Sequence, residues 1–268
     1  MKYDKSLNKK ERKEKGTFYT PQYIVDYIVE NTVDILLRKC DTPNDVSKLH
    51  ILDPACGDGI FLLVAYDSIL KWYEKYYKRN LTLIEKKKIV FDNLYGVDID
   101  NKAVILTMFN LSCKIQEMDF DIDLNAIDNL LDNDIMLNLE NNIKCGNSLI
   151  GSDFYNDKEM GLFGEEEIRK VNVFDWDKEF SDIMSAGGFD CVIGNPAYNK
   201  KNLLNIQQRD YFKKKYFSAY KQYDIYILFF EKGISLLSND GFMSYIVSNK
   251  YMVSDYGLNL RKLILGNT

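Results

Sequence analysis

The sequence predicts an α/β protein built on a doubly wound, mostly parallel sheet. Short apolar runs of strand length alternate with longer stretches of helical spacing. A glycine-rich turn, Asp53-Pro54-Ala55-Cys56-Gly57-Asp58-Gly59, stands where the first strand meets the first long helix. A second special turn, Asn195-Pro196-Ala197-Tyr198, directly follows a later strand.

Along the chain, residues 1–15 are charged and lack apolar periodicity, which predicts a basic flexible arm. Thr20 and Pro21 read as cap and first position of a helix whose stripe is Ile24, Val25, Ile28 and Val29, running to about residue 39. Residues 49–53 form the first strand, and 60–77 the helix after the glycine turn. Residues 94–97, closed by Asp98, are the second strand, 102–115 its helix, and 143–145 a weak third strand. A fourth strand at 191–194 follows Phe189 and Asp190, and a helix at 225–237 comes after it. The turn Asn239-Asp240-Gly241 introduces a fifth strand at 242–247, and 258–265 is helix-like. Segments 119–142, rich in Asp and Asn, and 153–185, with Glu165-Glu166-Glu167, read as surface insertions.

With 268 residues, 46% of them hydrophobic, the chain has enough apolar material for one sizeable core, and 16–268 reads as a single domain. A net charge of -5 gives no bulk electrostatic attraction to phosphates, so any basic surface must be local. The strongest candidate is the stretch with Lys200, Lys201, Arg209, Lys213, Lys214, Lys215 and Lys221, interleaved with Tyr211, Phe212, Tyr216 and Phe217. It suits either a nucleic-acid strand channel or a solvated charged helix face. Cys40, Cys56, Cys113, Cys145 and Cys191 form no CxxC pair, which fits a reducing cytosol. The start is polar and lysine-rich and no run reaches about 20 apolar residues, so a soluble cytoplasmic protein without a membrane partner is expected. The lone histidine, His50, removes most histidine-based metal and triad chemistry and reads as a solvated loop residue; no metal is expected.

The chemistry concentrates at the two turns. Gly57 and Gly59 can take positive φ and let a ligand approach the backbone at a helix start, although glycine turns also arise for steric reasons alone. Asp98 ends the second strand, where a carboxylate can hold ribose hydroxyls. Asp53 either faces the ammonium of a methionine moiety or caps the helix. In a doubly wound sheet the order reverses between the first and fourth strands, so both turns would face one crevice. An aromatic exocyclic amine is a poor nucleophile, and two acceptors gripping its hydrogens draw it toward a reactive geometry. Asn195 offers a carboxamide oxygen, Pro196 a backbone carbonyl, and Tyr198 a flat face for a flipped base, stacking being worth ~1–3 kcal/mol. An Asn-Pro surface turn is the plainer alternative.

Taken together, these segments resemble the N6-adenine DNA methyltransferases of type II restriction-modification systems in which the N-terminal cofactor motif comes first. The matching elements are Gly16-Thr17-Phe18-Tyr19-Thr20-Pro21, the turn through Gly59, Tyr95-Gly96-Val97-Asp98, Cys145-Gly146-Asn147-Ser148, the tetrad at Asn195, and residues 241–247. The resemblance implies a Rossmann-like fold binding S-adenosylmethionine, with double-stranded DNA presenting a flipped adenine as partner. It implies that Tyr19 and Thr20 line the methionine end, that Asp98 and Ile99 hold ribose and adenine, and that Asn147 meets the adenine amino group. Asp53, Ala55, Cys56, Gly57, Gly59 and Asn195 complete the implied cofactor site, and Asn195, Pro196 and Tyr198 the catalytic set.

Two residues depart from the family pattern. Ala197 replaces a second proline, which should loosen the loop by ~0.4–1 kcal/mol, and Asn147 replaces an acid. Beyond residue 268 the family expects two more strands, an aromatic closing the base pocket and a target-recognition domain, so an incomplete sheet and a separate recognition or restriction subunit are expected. Two rivals remain at this stage: a protein glutamine methyltransferase using the same amide grip, and a cofactor-binding subunit active only with a partner.

Overall fold

The computed structural model describes residues 20–117, 133–156, 165–198 and 204–266. Five strands, β1 (Ile51–Asp53), β2 (Leu94–Asp98), β3 (Ile143–Cys145), β4 (Phe189–Gly194) and β5 (Leu237–Tyr245), form one sheet in the order β3-β2-β1-β4-β5. Every pairing is parallel. The order reverses at β1, with β2 on one side and β4 on the other, so the expected crevice lies at the carboxyl ends of these strands.

Successive strand residues point to opposite faces, and both faces are covered. Ile51, Leu94 and Ile193 join one core cluster with α1 (Gln22–Glu30), α2 (Val33–Leu37), α4 (Ile60–Tyr77), α5 (Leu83–Asn93) and α6 (Asn101–Gln116). Leu52, Val97 and Val192 face Phe174, Trp176, Phe180 and Ile183 on the other side. A third cluster, rich in tyrosine, unites α11 (Ile206–Lys215), α12 (Ile225–Leu236) and α13 (Leu258–Gly266).

Several expectations are corrected. The first helix is not continuous to residue 39: Asn31 and Thr32 side chains donate to the carbonyls of Tyr27 and Ile28 (2.8 and 2.7 Å), and the chain restarts as α2. Two helices were unforeseen, α3 (Pro43–Val46) and α5, each opened by a capping box, Thr42 with Asp45 and Thr82 with Glu85. The segment 119–142 is more than a surface insertion, because α7 (Asn133–Leu139) buries Ile135 and Leu139. Segment 153–185 likewise supplies buried Phe154, Phe174, Trp176, Phe180 and Ile183, from the helices α8 (Glu165–Val171), α9 (Trp176–Glu179) and α10 (Ser181–Ser185) and the turns around them, Trp176 lying on α9 and Ile183 on α10. The turn at Asn239-Asp240-Gly241 is an irregularity inside β5. Phe189 pairs with Leu237 and Cys191 with Phe242, so two steps along β4 match five along β5. His50 is half-buried, its N–H donating to Asp190 at 2.8 Å and its Nδ1 3.5 Å from the same carboxylate. The expected arm at 1–15 lies outside the described residues.

Candidate functional site

The glycine turn is held by backbone and side chains alike. Cys56 N–H donates to Val97 C=O (3.0 Å), and Gly59 N–H to Cys56 C=O (2.8 Å). Gly57 and Gly59 take positive φ, +57° and +82°, as expected of them. Their surroundings differ. A Cβ on Gly59 would sit 2.9 Å from Thr107 Cγ2, whereas one on Gly57 would meet nothing within 4 Å. The turn is therefore packed against the core at Gly59 and faces open space at Gly57, the direction from which a ligand can reach it.

Two residues that sequence reasoning missed hold this shape. On α6, Thr107 Oγ1 donates to Gly57 C=O (2.9 Å) and Asn110 Nδ2 to Asp58 C=O (2.8 Å). Both are buried in an otherwise apolar stretch of helix, three residues apart on one face. Polar residues buried in such a stripe were the available signal, since a buried polar group demands a partner.

Asp98 ends β2 and braces the same turn. Its Oδ2 accepts from Gly57 N–H and its Oδ1 from Asp100 N–H, both at 2.9 Å. Burial raises its pKa, and these two N–H donors oppose the rise. A carboxylate oxygen can accept more than one hydrogen bond, so Asp98 can brace the turn and still receive hydroxyls. Ile99 beside it is 52% exposed, an apolar surface suited to a flat ring.

Asp53 is 1% exposed at the end of β1, with Oδ1 accepting from Ala55 N–H at 3.0 Å. Burial pushes its pKa up to about 8; Asp98 and Asp58 add to the rise, and the Ala55 N–H opposes it. Because the folded value exceeds the unfolded one, the unfolded chain releases this proton first as pH rises. Stability is thus unaffected below about pH 4, falls between there and about pH 8, and carries the full cost of a buried charge above. Asp53→Asn keeps the acceptor for Ala55 and removes the charge. Its melting temperature should match the parent's near pH 4 and exceed it increasingly toward pH 8, and an unchanged difference across that range would refute the assignment.

The second turn begins where β4 meets this acid. A Cβ on Gly194 would lie 2.6 Å from Asp53 Oδ1, so the backbone leading into Asn195 runs directly against the carboxyl. Asn195 Nδ2 donates to Thr20 Oγ1 at 3.0 Å, bringing the start of α1 to the tetrad. Pro196 is buried and Ala197 exposed. Tyr198 is half-buried, its hydroxyl donating to Ile246 C=O at 3.0 Å and its ring tilted 44° to Tyr226 with centroids 5.5 Å apart. Burial, with Asp224 nearby, pushes its pKa up to about 12, so it stays a neutral hydroxyl.

The remaining expected residues are placed less uniformly. Ala55 and Tyr198 both border the tyrosine-rich cluster. The Cys56 thiol is buried toward the core, against Gly96, and contributes to the turn through its backbone. Asn147 is half-buried; its oxygen accepts from Leu149 N–H (3.1 Å) and its nitrogen donates to Val171 C=O (3.3 Å), so it also shapes its own loop. Tyr19 lies outside the described residues.

The basic stretch does not present its aromatics as a strand channel. Phe212 and Tyr216 are buried, and Tyr211 donates to Asp153 at 2.7 Å. Lys215 pairs with Asp153 and Lys221 with Asp255, each at 2.6 Å. Phe217 is exposed, and Lys200 and Lys201 lie outside the described residues. A cavity of about 240 Å³ exists elsewhere, bounded by Pro43, Tyr73, Tyr77, Leu81 and Ile89, and none of the site residues line it. Among the described residues no group of three or more His, Cys, Asp or Glu could hold a metal, and no helix is long and apolar enough to cross a membrane.

A parallel sheet with its order reversed at β1, a glycine turn open at Gly57, an acid ending β2 and Asn-Pro-x-Tyr ending β4 are the features that the sequence resemblance leads one to expect of a methyltransferase of the α/β class. The model of the Eco57I restriction-modification methylase family matches residues 92–268, and the chain belongs to that family. It is 31% identical, over 97% of its length and 26% of the relative's, to the type II restriction enzyme and methyltransferase RM.Eco57I of Escherichia coli. It is 22% identical to the adenine-specific methyltransferase PglX of Streptomyces coelicolor, over 95% of this chain and 21% of that one. The type ISP restriction-modification enzyme LlaGI, solved as a nuclease-deletion mutant with a DNA substrate mimic, shares the fold with a TM-score of 0.57 at 19% identity, over 92% of this chain and 19% of that one. The chain thus spans roughly a quarter or less of the length of these relatives.

Proposed function

We propose that this chain transfers a methyl group from S-adenosylmethionine to the N6 amino group of an adenine in DNA, within a restriction-modification system. The observation that carries the reading is the placement of Asn195. It stands at the end of β4, one residue beyond the Gly194 that abuts Asp53, and next to the β1 end from which the glycine turn departs. Acceptor grip and cofactor turn are thereby neighbours. That one relative is a restriction enzyme and methyltransferase and another an adenine-specific methyltransferase favours the same reading.

The residues present fit the cofactor. Open space at Gly57 admits a backbone approach, Asp98 offers carboxylate oxygens to ribose hydroxyls, and exposed Ile99 offers an apolar face to the adenine. Asp53 would meet the ammonium of the amino-acid end, and a cation there would favour its ionised form. When bound, S-adenosylmethionine supplies an electrophilic methyl group on a sulfonium.

Asn195 and Pro196 accept the hydrogens of the adenine amine, which restores lone-pair density to the nitrogen and turns it toward the methyl. Tyr198 stacks on the extruded base. Holding the two reactants in line supplies much of the rate. Base readout is proposed to reside in a target-recognition segment or subunit distinct from this sheet, because sequence is read in the grooves and not at the flipped base alone.

The test is methyl transfer from labelled S-adenosylmethionine to unmethylated DNA, followed by identification of the modified nucleoside. N6-methyl-2′-deoxyadenosine is the expected product. Label appearing on a protein glutamine, or on cytosine, would overturn the reading. Binding of S-adenosylhomocysteine without transfer to any DNA would move the function to a partner-dependent subunit.

A further inference from the structure

Thr20 stands where the sequence predicts a helix cap, yet it caps nothing. Helix α1 begins at Gln22 after Pro21, with no side-chain cap. Thr20 is 4% exposed, and its hydroxyl instead accepts from Asn195 Nδ2 at 3.0 Å, a contact between residues 175 apart in the chain.

A carboxamide has two unlike ends of nearly equal size, and a half-turn about its last side-chain bond exchanges them at little steric cost. Only one orientation suits a residue that must accept hydrogens from an amine. With nitrogen toward the acceptor, N–H would face N–H. A hydroxyl can serve either end of an amide, so its selectivity depends on where its own hydrogen goes. A carboxylate beside Thr20, such as an amino-acid ligand carries, takes that hydrogen and leaves only lone pairs toward Asn195. The amide must then present its N–H to Thr20 and its oxygen elsewhere.

We propose that Thr20 is a positioning residue for Asn195: its Oγ1 holds the carboxamide nitrogen and so keeps Oδ1 turned toward the acceptor amine. The inference rests on the adenine-methylation reading for the direction in which Oδ1 is needed, but the Thr20–Asn195 contact can be tested without turnover. It also separates Thr20 from a residue that merely lines the cofactor site.

The experiment compares the full chain with Thr20→Val, which keeps the shape and removes the hydroxyl, and Thr20→Ser, which restores it. The first readout is solvent exchange of the Asn195 side-chain ¹⁵N amide, assigned by its loss in Asn195→Ala, with and without S-adenosylhomocysteine. Exchange should be about tenfold faster in the valine variant and parent-like in the serine variant, and should slow on adding the ligand only where the hydroxyl is present. The second readout is kinetic: kcat at saturating cofactor should fall about 10- to 100-fold in the valine variant, in addition to any rise in KM from the hydroxyl's lost bond to the ligand, with recovery of both in the serine variant. Equal amide exchange in all three proteins overturns the inference, as does a raised KM with unchanged kcat. If the parent methylates no DNA, the proposed reaction has failed, and the amide exchange still decides whether Thr20 holds Asn195.

Discussion

Alanine at position 195 is expected to lower kcat for adenine methylation by about 10²–10³-fold, the range seen when a single preorganised polar group is removed from a developing charge. The amine nitrogen of adenine shares its lone pair with the ring, so nucleophilicity must be created at the moment of transfer. In the proposed reaction Asn195 and Pro196 share that task, and Asn195 is the member that contributes through its side chain. The residue is half-buried and truncation removes its hydrogen bond to Thr20, a net contribution of about 1 kcal/mol, so the melting temperature should stay within about 4 °C of the parent. Single-turnover transfer, measured with S-adenosylhomocysteine affinity as a control, separates the two effects. A variant with more than a tenth of parental kcat would remove Asn195 from the chemistry, and one that lost cofactor affinity instead would make it a cofactor ligand.

The second large effect is expected from Gly194→Ala. The new methyl would stand 2.6 Å from Asp53 Oδ1 and 3.0 Å from its Cγ, and the φ of +152° at this residue adds backbone strain. Neither side can yield easily, since Asp53 is buried and β4 is paired on both edges. Overpacking of this kind costs about 1–3 kcal/mol and an unfavourable φ a similar amount. A loss of about 2–5 kcal/mol in denaturant unfolding is expected, together with methyl transfer reduced beyond what the unfolded fraction explains, because the strand end that aims Asn195 is displaced. Stability within about 0.5 kcal/mol of the parent would show that the Asp53–Gly194 contact is not a close one.

Much of this arrangement is legible in the residues themselves. The strand-helix alternation, the glycine turn and the Asn-Pro tetrad are local patterns, and a parallel sheet that reverses its order at β1 then brings the two turns together without further information. What escaped was carried by partners distant in sequence. Helix α5 has a visible capping box at Thr82 and Glu85, but its lysines obscure an apolar face, and Lys86 is buried through a pair with Glu117. Phe212 and Tyr216 sit four residues apart, the spacing of a buried stripe, yet the surrounding lysines suit a nucleic-acid channel and a solvated helix face equally well. Thr20 looked like a cap because its neighbours fit that role, and only the fold reveals that its hydroxyl belongs to Asn195. Asn93 and Asn142 were likewise invisible as buried staples, each donating to carbonyls of neighbouring elements.

The anchoring of the glycine turn to helix α6 by Thr107 and Asn110 bears on the economy of exchange as well as on shape. A loop that must be ordered by its ligand spends part of the binding free energy on lost chain entropy, and it releases that ligand only as fast as it can reopen. Here the carbonyls of Gly57 and Asp58 are already tied to a helix in the core, so the turn needs no ligand to take its form. Arrival then resembles docking on a rigid surface, and departure of the spent, demethylated product requires no unfolding of its seat. In the proposed reaction the cofactor must be renewed after every methyl delivered, and such a seat would let turnover be set at the DNA side, by extrusion and return of the base.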